Sequence, residues 1–250
     1  MNALIREKGG TFSLNKTEPI HRWYSYVEGF SSCLIAEELK NLLILKPDIE
    51  TIYDPFCGTG TTSLVASTHS IKSFYSESNP FMQTVIETKI NGVQKLDAKT
   101  ASTKLIEYLS LINERKIEEF TSWNGFEKFF GEQQLNELLT IKDLISQEGD
   151  ESVKSILALA LSSIVVKVSK MTRRGDLRYA TEKEYREESV LECFSDKLNE
   201  MIFDIQHYKT MVKCDTTKVS DDARDNNYVD AFDCVITSPP YLNGTNYIRN

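Results

Sequence analysis

The chain has 250 residues, 40% of them hydrophobic, and a formal net charge of −8. That length and apolar content suit one large α/β domain with a buried core, or a domain carrying a sizeable insertion. The acid excess counts against a protein that wraps nucleic acid with its whole surface, while leaving room for a local basic cleft or for basic surface on a partner. The five cysteines (Cys33, Cys57, Cys193, Cys214, Cys234) include no Cys-x-x-Cys pair. That spacing argues against a zinc site and against a disulfide framework, and predicts a reducing, cytoplasmic location. The polar start MNALIREKGG has no signal-peptide core, and the longest apolar stretch, Ile156–Val168, is too short and interrupted to span a bilayer.

In chain order, a tail leads to a helix over Ser32–Leu45, with Leu34, Ile35, Leu39, Leu42 and Leu43 on one face and Pro47 closing it. A short strand, Thr51–Tyr53, runs into DPFCGTGTT (Asp54–Thr62), followed by a helix over about 61–69 and a second strand, Lys72–Ser76, ending in Glu77-Ser78-Asn79-Pro80. Strand, glycine turn, helix and acid-tipped strand open a doubly wound α/β sheet. Helical periods then replace strand signals, over Ala98–Phe120, Gly131–Gln147, Ser152–Met171 and Ser189–Met211. Strand signals return at Met211–Asp215 and at Phe232–Thr237, the latter just before Ser238-Pro239-Pro240-Tyr241. The organisation expected is a sheet of about four strands in two parts, 1–85 and 210–250, separated by a helical insertion over 86–209.

The nine-residue glycine string is the strongest single feature. Gly58 and Gly60 permit positive φ and close approach of backbone to a ligand. Amides at the following helix start, with Thr61 among them, can bind a carboxylate. Asp54 at the strand tip can hold an amino group, and Phe56 lies within the same turn. Glu77, about twenty residues on, stands where a carboxylate takes the ribose hydroxyls of a nucleoside cofactor. Asp215 is read as ending the third strand, positioned to accept from an adenine amine or simply to start a turn. At the fourth strand, two prolines fix a rigid turn. The Ser238 hydroxyl and the Pro239 carbonyl then become acceptors facing a cleft. Two acceptors drawing on the hydrogens of an exocyclic base amine localise its nitrogen lone pair, so positioning and electrostatics suffice without a cysteine nucleophile or a metal. Tyr241 is suited to stack on a base swung out of the duplex.

These strings together resemble the amino-methyltransferases, the family of DNA-modifying enzymes that includes restriction-modification methylases. DPFCGTGTT resembles the family's cofactor-binding motif and YSESNP (Tyr75–Pro80) its second-strand motif. TSPPY resembles its catalytic motif in the Ser form, associated mostly with N4 of cytosine, the Asp form being the usual N6-adenine version. The segment His21–Phe30, with Tyr26, resembles the motif that packs beside the methionine pocket. The resemblance implies a Rossmann-like sheet, S-adenosylmethionine as cofactor, and double-stranded DNA as substrate. It implies cofactor contacts by Tyr26, Asp54, Phe56, Gly58, Gly60, Thr61, Glu77 and Asp215, and catalytic roles for Ser238, Pro239, Pro240 and Tyr241. It covers about residues 25–85 and 210–245, which makes this the N-terminal, catalytic half of such an enzyme. No recognition domain and only four of about seven expected strands are present, so a second polypeptide is expected to supply the remainder.

Lys167, Lys170, Arg173, Arg174 and Arg178 cluster about Gly175 in an otherwise acidic chain. They are candidates for phosphate contact or, equally, cations at a helix C-terminus. Trp123, Phe126, Phe129 and Phe130 read as core. Other readings that stay open are N6-adenine DNA methylation, methylation of a guanine amine in RNA, and a non-catalytic cofactor-binding subunit.

Overall fold

Gly58 and Gly60 at positive φ and a short parallel ladder shape the first part of the chain. The structure, a computed structural model, describes residues 9–26, 28–120, 125–174, 176–225 and 227–240. After two 3₁₀ turns (Phe12–Lys16 and His21–Trp23), the elements run α1 (Ser32–Leu45), β1 (Thr51–Asp54), α2 (Thr61–Thr68), β2 (Lys72–Ser76) and α3 (Pro80–Glu87). A π-helical turn (Thr88–Gly92) and one helical turn (Val93–Lys95) follow, then α4 (Ala98–Glu114), α5 (Glu132–Ser146) and α6 (Glu151–Ile164). A hairpin β3 (Met171–Arg174) and β4 (Asp176–Tyr179), α7 (Val190–Tyr208), β5 (Thr216–Ser220) and β6 (Cys234–Val235) complete them. The described residues fall into two compact units, one from residues up to Leu96 together with those from His207 onward, the other Asp97–Gln206.

The first unit is built on a four-stranded parallel sheet of order β5-β2-β1-β6. Alternation along each strand sends Ile52 and its ladder partner Ser73 to one face, and Tyr53 and its partner Phe74 to the other. On the first face Ile35 and Leu39 of α1 and Val65 and Ala66 of α2 pack with Ile49, Ile52 and Ile71 into the core. Burying each of these isoleucine and leucine side chains contributes roughly 1.5–3 kcal/mol. On the second face Phe232 stacks on Tyr53 at a centroid distance of 4.9 Å and lies 4.9 Å from Phe74. Helix starts are capped as their sequences suggest: the Ser31 hydroxyl accepts from the Leu34 amide, and the Asn79 side chain accepts from the Phe81 amide with Pro80 at the first helical position.

The register of β6 is set from its base. The Asp233 carboxylate accepts from the Glu50 and Thr51 amides, both at 3.0 Å, and from the Thr51 hydroxyl at 2.8 Å. These donors hold its pKa down at about 2. The clamp aligns Ile52 with Cys234 and Tyr53 with Val235, and so brings the tips of β1 and β6 out side by side.

Two expectations change in this part of the chain. The third strand is Thr216–Ser220, not Met211–Asp215. Lys209–Met211 form a 3₁₀ turn, Val212 is buried, and the Cys214 amide donates to the Ser67 hydroxyl at 2.9 Å instead of entering a ladder. The true strand, TTKVS, is β-branched but polar, as befits the outer strand of the sheet. The fourth strand shortens to Cys234–Val235, although the Ile236 amide still donates to the Tyr53 carbonyl at 3.1 Å.

The second unit is mainly helical. Asp97 caps α4 by accepting from the Thr100 amide, and Asp150 caps α6 by accepting from the Ser152 and Val153 amides. Buried Leu105, Leu109 and Ile112 of α4, Leu138 and Ile141 of α5, Val153, Ile156 and Leu157 of α6, and Phe194, Leu198 and Met201 of α7 supply its apolar interior. The helix expected over Ser152–Met171 stops at Ile164. The β-branched run Ile164-Val165-Val166 weakens helix propensity there, and the chain turns into the β3–β4 hairpin.

Candidate functional site

The glycine turn has the backbone expected of it. Gly58 and Gly60 stand at φ of +55° and +79°, where a side chain would be strained. Space is short as well: a Cβ on Gly58 would lie 3.2 Å from Cε1 of Tyr26, and one on Gly60 would lie 3.2 Å from Cγ1 of Ile86. Tyr26, expected here from sequence, therefore does lie against the turn. Gly60 is the N-cap of α2, so the first-turn amides of that helix, with buried Thr61, follow the turn directly. Phe56 is 39% exposed within the same loop.

Two carboxylates frame the turn. Glu77 is half-buried. Its Oε2 accepts from the Gly58 amide and its Oε1 from the Asn79 amide, both at 2.8 Å. Burial raises its pKa while these backbone donors oppose the rise. A carboxylate has about four acceptor positions, more than the backbone donors here fill. Asp54 is 1% exposed. Its Oδ1 accepts from the Phe56 amide at 3.1 Å and from the Thr237 hydroxyl at 2.7 Å. Its Oδ2 is buried without a hydrogen-bond partner. Burial pushes the carboxyl up to about 6, against the opposing effect of Thr237, nearby Thr62 and Phe56. An orphaned acceptor of this kind costs free energy unless a donor reaches it. Cys57, in the middle of the turn, is buried with its thiol pKa raised by that burial, so it stays protonated and is no nucleophile.

The Thr237–Asp54 hydrogen bond is the link between the two sequence strings. Thr237 directly precedes Ser238-Pro239-Pro240, and Asp54 directly precedes the glycine turn, so both turns leave the same end of adjacent parallel strands. Ser238 is half-buried and Pro239 and Pro240 are exposed. Tyr241 lies outside the described residues. Sequence reading passed over Thr237, although a hydroxyl residue at a strand tip next to a buried aspartate is the signal that marks it.

Asp215 is not brought to this place. It precedes β5, beside the Lys72 end of β2, whereas the turns lie at the Ser76 end. The error follows from the five-residue displacement of the third strand. The carboxylates that do follow β5 are Asp221 and Asp222. Asp221 accepts from Gln83 Nε2 at 2.8 Å and Lys218 Nζ at 2.9 Å, and Gln83 Nε2 also donates to the Glu77 carbonyl at 2.6 Å.

The basic cluster is a hairpin, not a helix end. Arg173 and Arg174 lie on β3 and Arg178 on β4. Arg178 is committed to Glu184 through two hydrogen bonds of 3.0 and 2.8 Å, and Lys167 stands 3.9 Å from Glu188. Lys170 Nζ donates to the Glu127 carbonyl at 3.3 Å, and Arg173 Nε is buried without a partner. Among the described residues no group of three or more His, Cys, Asp or Glu side chains could hold a metal ion, and no helix is long and apolar enough to cross a membrane. A cavity of about 180 Å³ opens beside α1 and α2, lined in part by His21, Cys33, Leu64, Thr68 and Val212. None of the sequence-derived site residues lines it.

No protein-family model matches the chain, and no solved structure matches it significantly. Curated relatives do. The type II methyltransferase M.BsoBI of Geobacillus stearothermophilus is 30% identical over 280 residues, covering 96% of this chain and 52% of the relative. The type II methyltransferase M.MvaI of Kocuria varians is 26% identical over 255 residues, covering 93% and 55%. The type II methyltransferase M.AvaI of Nostoc sp. is 26% identical over 279 residues, covering 96% and 54%. By sequence, the chain is similar along nearly all of its length to type II methyltransferases, and it spans about half the length of the relatives it matches.

Proposed function

We propose that this chain binds S-adenosylmethionine and transfers its methyl group to an exocyclic amine of double-stranded DNA, the N4 of cytosine, within a restriction-modification system. The observation that carries the reading is the 2.7 Å bond from Thr237 to Asp54, which ties the serine-proline-proline turn to the glycine turn. The residues present fit the cofactor. The orphaned Oδ2 of Asp54 suits its amino group, the α2 start suits its carboxylate, and the remaining lone pairs of Glu77 suit ribose hydroxyls. When bound, the cofactor supplies an electrophilic methyl on a sulfonium.

The chain's own contribution is then to hold and polarise the amine. The Ser238 hydroxyl and Pro239 carbonyl accept its hydrogens, the two prolines keep those acceptors from rotating away, and Tyr241 stacks on the base. The serine form of the turn supports cytosine over adenine. The arginines of the β3–β4 hairpin are the candidates for phosphate contact, and Arg178 is already paired with Glu184. We read Asp97–Gln206 as an insertion into the sheet, and we infer that further chain completes the fold. The support for this is that the relatives are about twice as long and that Val235 on β6 is 58% exposed at the sheet edge.

The test is tritiated methyl transfer to duplex DNA and to transfer RNA, followed by nucleoside analysis, with the chain alone and co-expressed with its neighbouring reading frame. Label in N4-methylcytosine of the duplex is expected. Label in N6-methyladenine would correct the base, label confined to RNA would replace the substrate class, and no label under either condition would overturn the reading.

A further inference from the structure

The segment after α3 is buried in an unusual way. Thr88, Lys89 and Ile90 are consecutive and all buried, with Lys89 and Ile90 at 0% exposure. An α-helix covered on one side buries residues three and four apart, not three in a row. Met82, Val85, Ile86, Lys89 and Ile90 follow that spacing, so Lys89 falls on the inward face, and the π-helical turn over Thr88–Gly92, with more residues per turn, brings Thr88 in beside it. Ile86 and Ile90 lie against Gly60 of the glycine turn, and Lys89 Nζ donates to the Thr59 carbonyl at 2.9 Å. Asn91 of the same turn anchors it to β5, accepting from the Thr216 amide and donating to the Thr216 carbonyl.

A buried ammonium with a neutral carbonyl as its hydrogen-bond partner is costly. The groups around Lys89 do not neutralise it. The nearby histidine is His21, buried with Nδ1 unpartnered and kept neutral by burial and by the lysine itself. The nearby thiol is Cys57, which burial keeps protonated, and Asp54 and Glu77 act on it from beyond. A charged lysine in such a place, under the glycine turn, is costly unless a group it faces gains from the charge. A purely structural contact with Thr59 could be made by any neutral donor.

We propose that Lys89 is a positioning residue of the cofactor site: the inward face of this segment places its ammonium on the buried side of the glycine turn, where it fixes the Thr59 carbonyl and supplies positive charge toward the anionic end of the cofactor. The inference rests on the S-adenosylmethionine reading above. It carries a pH signature. Burial lowers the lysine pKa to about 7, so its charge is present below neutrality and lost as pH rises.

The experiment titrates the full chain with S-adenosylmethionine at about pH 6.5 and about pH 9, for the wild type, Lys89→Met and Lys89→Gln, and records thermal unfolding of each without cofactor. The expected result is an affinity about tenfold weaker for both variants at the lower pH, with the gap largely closed at the higher pH, where the wild-type lysine is neutral. Any titration of the ligand's own amine is common to all three chains and cancels in the comparison. Glutamine can still donate to Thr59, so a loss in Lys89→Gln reports the charge and not the hydrogen bond. Equal losses at both pH values, or full affinity in Lys89→Gln, would overturn the inference while leaving the cofactor reading in place. A wild-type chain that binds no S-adenosylmethionine at either pH would overturn both.

Discussion

Asp54→Asn is expected to lose about two orders of magnitude in affinity for S-adenosylmethionine while making the cofactor-free protein more stable. The two effects share one cause. Oδ2 of Asp54 is buried without a partner, and burial raises the carboxyl from 3.8 to about 6. Below 3.8 both folded and unfolded states hold the proton. Between 3.8 and 6 the folded state holds it more tightly, so stability falls as pH rises through that window. Above 6 the full cost, at most about 3 kcal/mol, is in place. Asparagine keeps an oxygen for Thr237 and the Phe56 amide and removes the charge, so it recovers part of that cost. The cationic amine of the cofactor needs the carboxylate, so wild-type affinity should rise between about pH 5 and pH 7. Calorimetric titration across that range, alongside thermal unfolding of both proteins, measures each arm. An asparagine variant that binds as well as wild type, with the same pH dependence, would mean that Asp54 is only a strand-tip cap.

The second large effect is expected at the proline turn. Pro239→Ala or Tyr241→Ala should lower kcat for methyl transfer by about 100-fold or more in the methylation-competent preparation, with cofactor affinity changed less than about twofold. Pro239→Ala keeps a carbonyl but frees the backbone on which its aim depends. Tyr241→Ala removes a stacking platform of about 1–3 kcal/mol for an unstacked base. Steady-state kinetics with parallel cofactor titration separates the two quantities. Near wild-type turnover in both variants would remove the catalytic role from this turn.

Much of the site could be read from local strings because local geometry makes it. Gly58 and Gly60 are required by positive φ, and Glu77 follows β2 directly, so neither depends on distant chain. The first two strands were legible from the glycine turn and the Glu77-Ser78-Asn79-Pro80 string that end them, and α1 because its helical periodicity agrees with the burial of Ile35 and Leu39. The third strand was misplaced because its apolar content is weak: Thr217 and Lys218 are exposed on the outer strand, while the more apolar Met211-Val212 pair belongs to a turn and a buried connection. That displacement alone carried Asp215 to the wrong end of the sheet and hid Asp221 and Asp222. Lys89 was invisible for a different reason. Its spacing from Met82, Val85 and Ile86 puts it on the inward helix face, but a lysine at the end of such a stripe reads as a solvated charge, and only its tertiary contact with Thr59 shows it inside. The basic hairpin was read as a helix end because propensity falls gradually along Ile164–Val168, whereas pairing with β4 decides the outcome.

A structure of the chain bound to S-adenosylhomocysteine shows whether the glycine and proline turns share one cofactor site. The amino group of the ligand is expected on Oδ2 of Asp54, its ribose at Glu77, and its sulfur facing the Ser238–Pro239 turn. A ligand seated elsewhere, for instance in the cavity beside His21 and Thr68, with Asp54 Oδ2 left without a partner, would contradict a shared site.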